Sequence, residues 1–352
     1  MIKDFSAILL RWFDKHGRKD LPWQADADPY RIWLSEVMLQ QTQVKTVIPY
    51  FEKFCNRFPN VRELADAEQD EVLHLWSGLG YYARARNLHH AAKQVVAQFS
   101  GEFPREQETL ESLKGVGRST AAAIRAQAFE QPAAILDGNV KRVLTRLFAI
   151  EEWPGASATE KRLWESSESL LPKHRLRDYT QAIMDLGATL CTRAKPDCIN
   201  CPFQSQCEGY QLGIVDQLPA RKPKKASPIK EVTFLLIRNN KGELLLEKRP
   251  SVGIWGGLWS FPEASQEMIS AELEAFGLQE KERVKLEPGE HVFSHFRLQY
   301  QPIVIDAGED QPGVIQEPEN HIWYSTAHPK ELGLAAPVVK LIERLQTCEN
   351  EL

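Results

Sequence analysis

No stretch of the chain approaches the roughly 18 consecutive apolar positions of a membrane-spanning helix, which argues against a helical membrane protein. The opening segment MIKDFSAILLRWFDKHG has too short an apolar run for a secretory signal and carries charge on both sides of it. A cytoplasmic location is the expectation. Six cysteines in a reducing compartment are then thiols or metal ligands rather than disulfides. With 20 glycines and 21 prolines in 352 residues, neither a collagen-like nor a low-complexity chain fits, and no internal repeat is present. Nor is there a surplus of positive charge, since 43 Lys+Arg against 48 Asp+Glu give −5, which taken alone discourages a polyanionic partner. That sum conceals an asymmetry. Residues 1–225 hold 31 Lys+Arg against 28 Asp+Glu and the rest hold 12 against 20, so the parts carry +3 and −8. Two domains with different partners, or one partner touched mainly by the first, follow from that split and from the length.

What is present divides the same way. From residue 4 to about 213 apolar positions recur three or four apart, as in Phe5-Ile8-Leu9-Trp12 and Val140-Val143-Leu144-Leu147, with prolines between the runs. Many short helices are expected there. The segment Gln217–Pro228, with three prolines and four basic residues, has the composition of an exposed linker. Beyond it the period changes. Val232–Ile237, a turn at Asn239–Gly242 and Leu244–Leu246 predict a hairpin, with further strands at His291–Tyr300, Pro302–Ile305 and His321–Tyr324 and a closing helix from about Ala336 to Leu345.

Four of the cysteines fall at Cys191, Cys198, Cys201 and Cys207, a C-x6-C-x2-C-x5-C run directly after a helical pattern. Four thiolates so close can wrap one metal centre, zinc or iron–sulfur. Structural zinc sites usually show two close pairs with a longer gap between. A single close pair flanked by gaps of six and five favours a [4Fe-4S] cluster, whose role is more simply structural than redox. Cys55 and Cys348 stand alone.

Leu113–Ile124 reads as the end of one helix, a turn Gly115-Val116-Gly117, and a second helix capped near Ser119 or Thr120. Glycines there would let backbone N–H groups approach an anion such as a DNA phosphate. A plain helix connection is the simpler alternative. Twenty residues on, Ile135-Leu136-Asp137-Gly138-Asn139-Val140 presents one acid, which could equally be an ordinary helix cap, followed by Lys141, Arg142 and Arg146.

The hairpin, the acid after it and the four-cysteine run, in this order and spacing, resemble the helix-hairpin-helix DNA glycosylase superfamily that includes endonuclease III, over residues 1 to about 215. Trp33–Gln43 further resembles the helix on which adenine DNA glycosylases place a glutamate, here Glu36, and Gly78–Asn87 resembles a DNA-facing loop of that family. Ser119 stands where lyase members carry a Schiff-base lysine, so amine-based strand cleavage is not expected. Lys114 replaces the usual proline before Gly115. The resemblance implies a multidomain protein: an all-α helix-hairpin-helix glycosylase domain with an iron–sulfur loop over 1–215, a basic linker over 216–229, and an α+β Nudix-like domain over 230–352. It implies base excision on chromosomal DNA by a bacterial-type, monomeric enzyme, the partner being double-stranded DNA with adenine opposite 8-oxoguanine or guanine.

Expelling adenine from its sugar calls for an acid to protonate the base and an anion to stabilise the oxocarbenium-like sugar. Glu36, among Trp33, Leu34, Val37 and Met38, is expected to have a raised pKa, to serve as the acid and later to handle the water; Asp137 is expected to stabilise the cationic sugar or to attack it transiently, with Asn139 orienting it. The resemblance adds DNA contacts at Gln41, Thr42, Leu79, Gly80, Tyr81, Gly115, Gly117 and Ser119, of which Gln41 and Tyr81 would enter the base stack.

In the second part, Gly253–Pro262 resembles the segment that precedes the metal-binding box of Nudix hydrolases. The box itself, Arg-Glu-x-x-Glu-Glu, is missing after Pro262. This disfavours a nucleotide pyrophosphohydrolase. Phe293, Ser294 and His295, with Phe296, resemble the loop that reads the base opposite the target adenine; a packed strand is the competing account. A bifunctional glycosylase/lyase and a non-enzymatic iron–sulfur DNA-binding protein are the remaining alternatives.

Overall fold

The computed structural model describes residues 4–222, 228–293, 295–309 and 320–349. Contacts divide the chain into two compact units, Met1–Asp66 with Asn87–Lys224, and Ala67–Arg86 with Lys225–Leu352. The division is not a single cut: a twenty-residue stretch packs with the C-terminal part. None of the helices among the described residues is long and apolar enough to cross a membrane.

The helices are α1 (Phe5–His16), α2 (Pro29–Leu39), α3 (Val44–Arg57), α4 (Val61–Asp66), α5 (Gln69–Leu75), α6 (Ala83–Phe99), α7 (Gln107–Glu111), α8 (Arg118–Phe129), α9 (Gly138–Leu147), α10 (Ser157–Ser169), α11 (Leu176–Asp185), α12 (Glu208–Gln211), α13 (Ile269–Ala275) and α14 (Ala336–Glu349). In the first unit the helical period buries one face of each element in a shared core. Phe5, Leu9 and Phe13 of α1 meet Val140, Val143, Leu144 and Leu147 of α9 and Ala182 and Ile183 of α11. Phe203, from within the cysteine run, is buried in the same core and stacks on Phe5 at 4.4 Å between ring centroids. A side chain of that size at 1% exposure anchors the whole loop. Asp28 caps α2, its carboxylate accepting from the Tyr30 N–H at 2.9 Å, and Pro29 opens the helix without forfeiting a hydrogen bond.

The second unit is built on a sheet of β1 (Ile229–Arg238), β2 (Leu244–Lys248), β3 (Trp259–Ser260), β4 (Leu278–Lys285), β5 (Gly289–Val292), β6 (Arg297–Glu309) and β7 (His321–Tyr324). The order is β3-β2-β1-β6-β4, with β5 also on β6 and β7 on β2. Among the strand pairs of the described residues, β1 and β6 run parallel, in register from Ile229 opposite Arg297 to Arg238 opposite Asp306. That last pair is ionic, Arg238 Nε lying 2.6 Å from Asp306 Oδ1. Leu235 and Ile237 of β1 face α13 with Ile303 and Ile305, whereas Phe234 turns its ring toward Trp255 and Tyr300, as the two-residue period of a strand requires.

Two sequence expectations change here. The run His291–Tyr300 is not one strand: β5 ends at Val292, Phe293 N–H bonds to Phe296 O at 2.9 Å, and β6 begins at Arg297. Pro302–Ile305 continues β6 rather than forming a strand of its own. Alternating apolar residues continue through a tight turn, so their period does not show where the chain reverses.

Gly209, at the start of α12, approaches the end of α9 so closely that an added Cβ would lie 2.5 Å from the Arg146 carbonyl oxygen. Backbone cannot yield as a side-chain tip can. Gly209→Ala is therefore expected to destabilise the first unit by about 1–3 kcal/mol, measured as a lower urea midpoint than wild type.

Candidate active site

A cleft of about 860 Å³ opens in the first unit, and Glu36, Gln41, Thr42, Ser119, Asp137, Gly138 and Asn139 line it. Glu36 projects from α2, a helix buried on nearly all sides because six residues from Ile32 to Met38 other than Glu36 itself are apolar or small and inaccessible. Its Oε1 accepts one hydrogen bond, from Gln127 Nε2 of α8 at 3.2 Å. Burial, and secondarily the charge of Asp137, push its pKa up to about 7, against a smaller downward pull from Gln127. Glu36 is thus a carboxyl group that carries a proton near neutrality.

Asp137 occupies the N-cap of α9. One oxygen accepts from Val140 N–H at 2.8 Å and the other from Asn139 Nδ2 at 2.9 Å. Asn139 Oδ1 accepts in turn from Arg142 at 2.8 Å, and the same guanidinium donates to Gly187 O at 2.6 Å and Cys191 O at 2.7 Å. A continuous series of hydrogen bonds therefore runs from the Asp137 carboxylate to the backbone of the first cysteine. Gly187 must be glycine for this, since a Cβ would fall 2.6 Å from Asn139 Cβ.

The four thiols, Cys191, Cys198, Cys201 and Cys207, line one small cavity of about 30 Å³. Buried Arg146 of α9 reaches into its wall, with Nη1 3.4 Å from Cys191 Sγ and 2.7 Å from Thr192 O. Burial pushes the Cys201 thiol up to about 12 and raises Cys198 and Cys207 as well. Such groups become thiolates only when a cation is bound among them. Among the described residues no three Cys, His, Asp or Glu side chains form a group that could hold a single metal ion. A tetrahedral zinc site would bring sulfurs to roughly 3.8 Å of one another, given Zn–S bonds of about 2.3 Å. The donor set, four thiols on one cavity, is of the kind that holds a sulfur-ligated metal centre.

The hairpin turn places Gly115 at φ +80°, where an added Cβ would also press on Asn87 Cβ at 2.8 Å. The helix it leads into is capped by Gly117, two residues before Ser119, with no side-chain cap hydrogen bond. Ser119 is not a cap. Its hydroxyl accepts from Leu136 N–H at 3.1 Å and so ties the hairpin to the strand-like approach to Asp137. Gln41 and Tyr81 sit at turn tips with φ of 60° and 50°, left-handed conformations that cost a side-chain-bearing residue on the order of 1 kcal/mol. Tyr81 is 49% exposed although its ring lies under the Arg84 guanidinium. Leu79 and Gly80 belong, with Tyr81, to the second unit. Sequence reasoning missed Arg18, Trp23, Leu39 and Gln181, which line the cleft from four separate segments. Fully buried Asp185 orients two of them, accepting from Arg18 Nη2 at 2.6 Å and Gln181 Nε2 at 2.7 Å.

In the second unit Phe293 stacks on Phe296 at 4.3 Å, with Trp255 at 5.5 Å and His291 at 4.6 Å. His295 is exposed beside Phe296, and Ser294 lies outside the described residues. Trp255, at φ 52°, and His291 are further members of this aromatic cluster that the sequence did not single out. Glu263, the first acid after the glycine-rich segment, is ion-paired with Arg249.

Residues 34–169 match the model of the HhH-GPD superfamily of base excision DNA repair proteins, and residues 233–344 match that of the NUDIX domain. The chain is thus a two-part protein, a helical repair-type domain joined to a Nudix-like one. It is 39% identical to the adenine DNA glycosylase of Buchnera aphidicola subsp. Baizongia pistaciae over 97% of both chains, and 37% identical to that of Mus musculus over 91% of this chain and 73% of the relative. The chain belongs to the adenine DNA glycosylase family. Among solved structures, a thermostable thymine-DNA glycosylase (30% identity, TM-score 0.55) covers 60% of this chain and 96% of its own. Endonuclease III in a non-covalent DNA complex (21%, TM-score 0.51) covers 59% and 94% and shares the fold.

The raised pKa of Glu36 has a stability consequence. Below about 4.5 folded and unfolded chains both hold the proton; between 4.5 and about 7 only the folded chain does, so stability falls as pH rises and the full cost is present above 7. Glu36→Gln is expected to be more stable than wild type by up to about 2–3 kcal/mol at pH 8, with the difference vanishing near pH 4 in paired urea titrations.

Proposed function

We propose that the chain is a monofunctional DNA glycosylase that hydrolyses the N-glycosidic bond of adenine opposite 8-oxoguanine or guanine in double-stranded DNA, acting as a monomer in the cytoplasm. The observation that carries this reading is one cleft holding a protonated carboxyl, Glu36, against a capped carboxylate, Asp137. With the base flipped into the cleft, Glu36 donates its proton to an adenine ring nitrogen as the bond to the sugar breaks and its electron pair leaves with the base. Asp137, steadied by Asn139, faces the cationic sugar. Glu36, now a carboxylate, takes a proton from water and the hydroxide adds to the sugar carbon, leaving free adenine and an abasic site. Trp23, Leu39 and Met184 supply apolar surface for a base, and Gln181 and Arg18 supply polar groups for its edge.

Base removal without strand cleavage is supported by Ser119, whose hydroxyl offers no amine and is engaged with Leu136. The N–H groups at the start of α8 and the left-handed Gly115 suit a phosphate contact by Gly115, Gly117 and Ser119. Gln41 and Thr42 at the cleft rim, and the loop Leu79-Gly80-Tyr81, are assigned to the distorted duplex. Cys191, Cys198, Cys201 and Cys207 would hold a [4Fe-4S] cluster. When bound, such a cluster cross-links its loop and supplies a one-electron couple. Phe293, Ser294 and His295 are assigned to the opposite base, because a stacked aromatic pair beside an imidazole offers a platform with a hydrogen-bonding edge.

A duplex with one A:8-oxoguanine pair, analysed with and without hot alkali, tests the reaction. Strand breaks only after alkali are expected; breaks without it would instead implicate an amine such as Lys45, also on the cleft wall. Single-turnover excision is expected to fall as pH rises through about 7, and Glu36→Gln to reduce it by about 10²-fold or more; near-native rates would sink the assignment. Ser294→Ala combined with His295→Ala is expected to reduce the preference for 8-oxoguanine over guanine, and unchanged discrimination would remove that loop from the recognition role.

A further inference from the structure

The stretch Ala67–Arg86 lies inside the match to the repair superfamily yet packs in the unit of the Nudix-like domain. Its contacts there are specific. Asp70 of α5 accepts from Lys248 Nζ at 3.0 Å, and Trp259 Nε1 lies 3.4 Å from the same oxygen, Oδ2. Lys248 also sits over the Trp259 ring at 5.6 Å. Eleven residues past α5, Arg86 Nη1 donates to Gly256 O at 2.5 Å, a carbonyl within the glycine-rich segment. On the other side of α5, an added Cβ at Gly333 would strike Leu73 Cβ at 2.7 Å, so the chain at 333 closes directly on the helix. Between these fixed points runs Gly78-Leu79-Gly80-Tyr81, with Gly78 at φ 99°, Gly80 at 72° and Tyr81 at 50°. Three left-handed residues among four make a loop whose course depends on how its two ends are held.

We infer that Asp70, Lys248 and Trp259 are positioning residues through which the Nudix-like domain holds the Gly78–Tyr81 loop for DNA, so that reading the opposite base and placing Tyr81 are one event. This rests on the function proposed above. The ion pair is partly shielded, with side-chain exposures of 31% and 26%, and it leaves the cleft of Glu36 and Asp137 untouched. An ordinary surface pair would contribute little to stability and nothing to selectivity. This one joins α5, the helix that leads into the loop bearing exposed Tyr81, to β2 and β3, strands of the sheet whose neighbouring segments bear Trp255.

The test compares single-turnover adenine excision from A:8-oxoguanine and A:G duplexes by the full-length wild type, Asp70→Asn, Lys248→Gln and the exchanged pair Asp70→Lys with Lys248→Asp. Each single variant is expected to lower the ratio of the two rates about fivefold, and the exchanged pair to recover at least half of it. Hydrogen exchange across residues 76–82 is expected to quicken in the single variants and slow again in the exchange. An unchanged ratio, an equal fall on both duplexes, or no recovery in the exchanged pair would overturn the inference. Failure of wild type to release adenine from either duplex would overturn the proposed function instead, and is read from the same assay.

Discussion

The N-terminal half of α9 is the constraint on which the first unit turns. Its apolar face, Val140, Val143 and Leu144, is locked into the core, which fixes the helix in rotation and translation. Everything polar on it then has a set direction. Asp137 caps it and points into the cleft, Asn139 bridges to Arg142, and Arg142 and Arg146, one turn apart, both reach the cysteine loop. The carboxylate and the loop are therefore positioned by one rigid body. A shift of that helix would move both together.

Arg146 shows how a buried charge is accommodated without a carboxylate. It is 2% exposed, its Nε–H shared between the carbonyls of Val215 and Leu218, Nη1 facing Thr192 O and the Cys191 sulfur, and Nη2 facing Arg193 O. Carbonyl dipoles disperse the charge, and the guanidinium fork gathers chain segments from both ends of the loop. Asp185 is the mirror case, a fully buried anion that receives the Arg18 backbone and guanidinium and the Gln181 amide. Removing either charge would strand its partners, so these are points where the fold tolerates little change.

What the sequence made legible was the local chemistry. The helical period around Glu36, the glycine turn, the isolated Asp137 and the cysteine spacing each depend on near neighbours, and the structure brings Glu36, Asp137, Asn139 and Ser119 to one cleft. Arg18, Trp23 and Gln181 were not legible because their convergence is tertiary: they lie in a loop after α1, a short turn before α2, and α11, and nothing in their own surroundings distinguishes them from core or surface. The strand run through His291 failed for a different reason. Phe293 and Phe296 stack across a turn, so apolar spacing persists where the direction reverses. The packing of Ala67–Arg86 left no mark at all, since Val72 and Leu73 would be apolar whichever partner covered them.

The modest +3 of residues 1–225 needs the same discrimination between kinds of charge. Among the cations of the cleft wall, Arg18 is neutralised by Asp185, and Arg142 directs its donors to carbonyls and Asn139. Lys45 and Arg193 are exposed on the same wall. Formal charge therefore misstates what a phosphate would meet: part of the positive charge serves the fold, and part of the negative charge is buried with it. Counterion release depends on the exposed remainder and on helix N-termini such as that of α8. The −8 beyond residue 225 would not oppose this under the proposed function, in which a base edge met by stacked rings and an imidazole would be recognised by shape and hydrogen bonds rather than by attraction to phosphate.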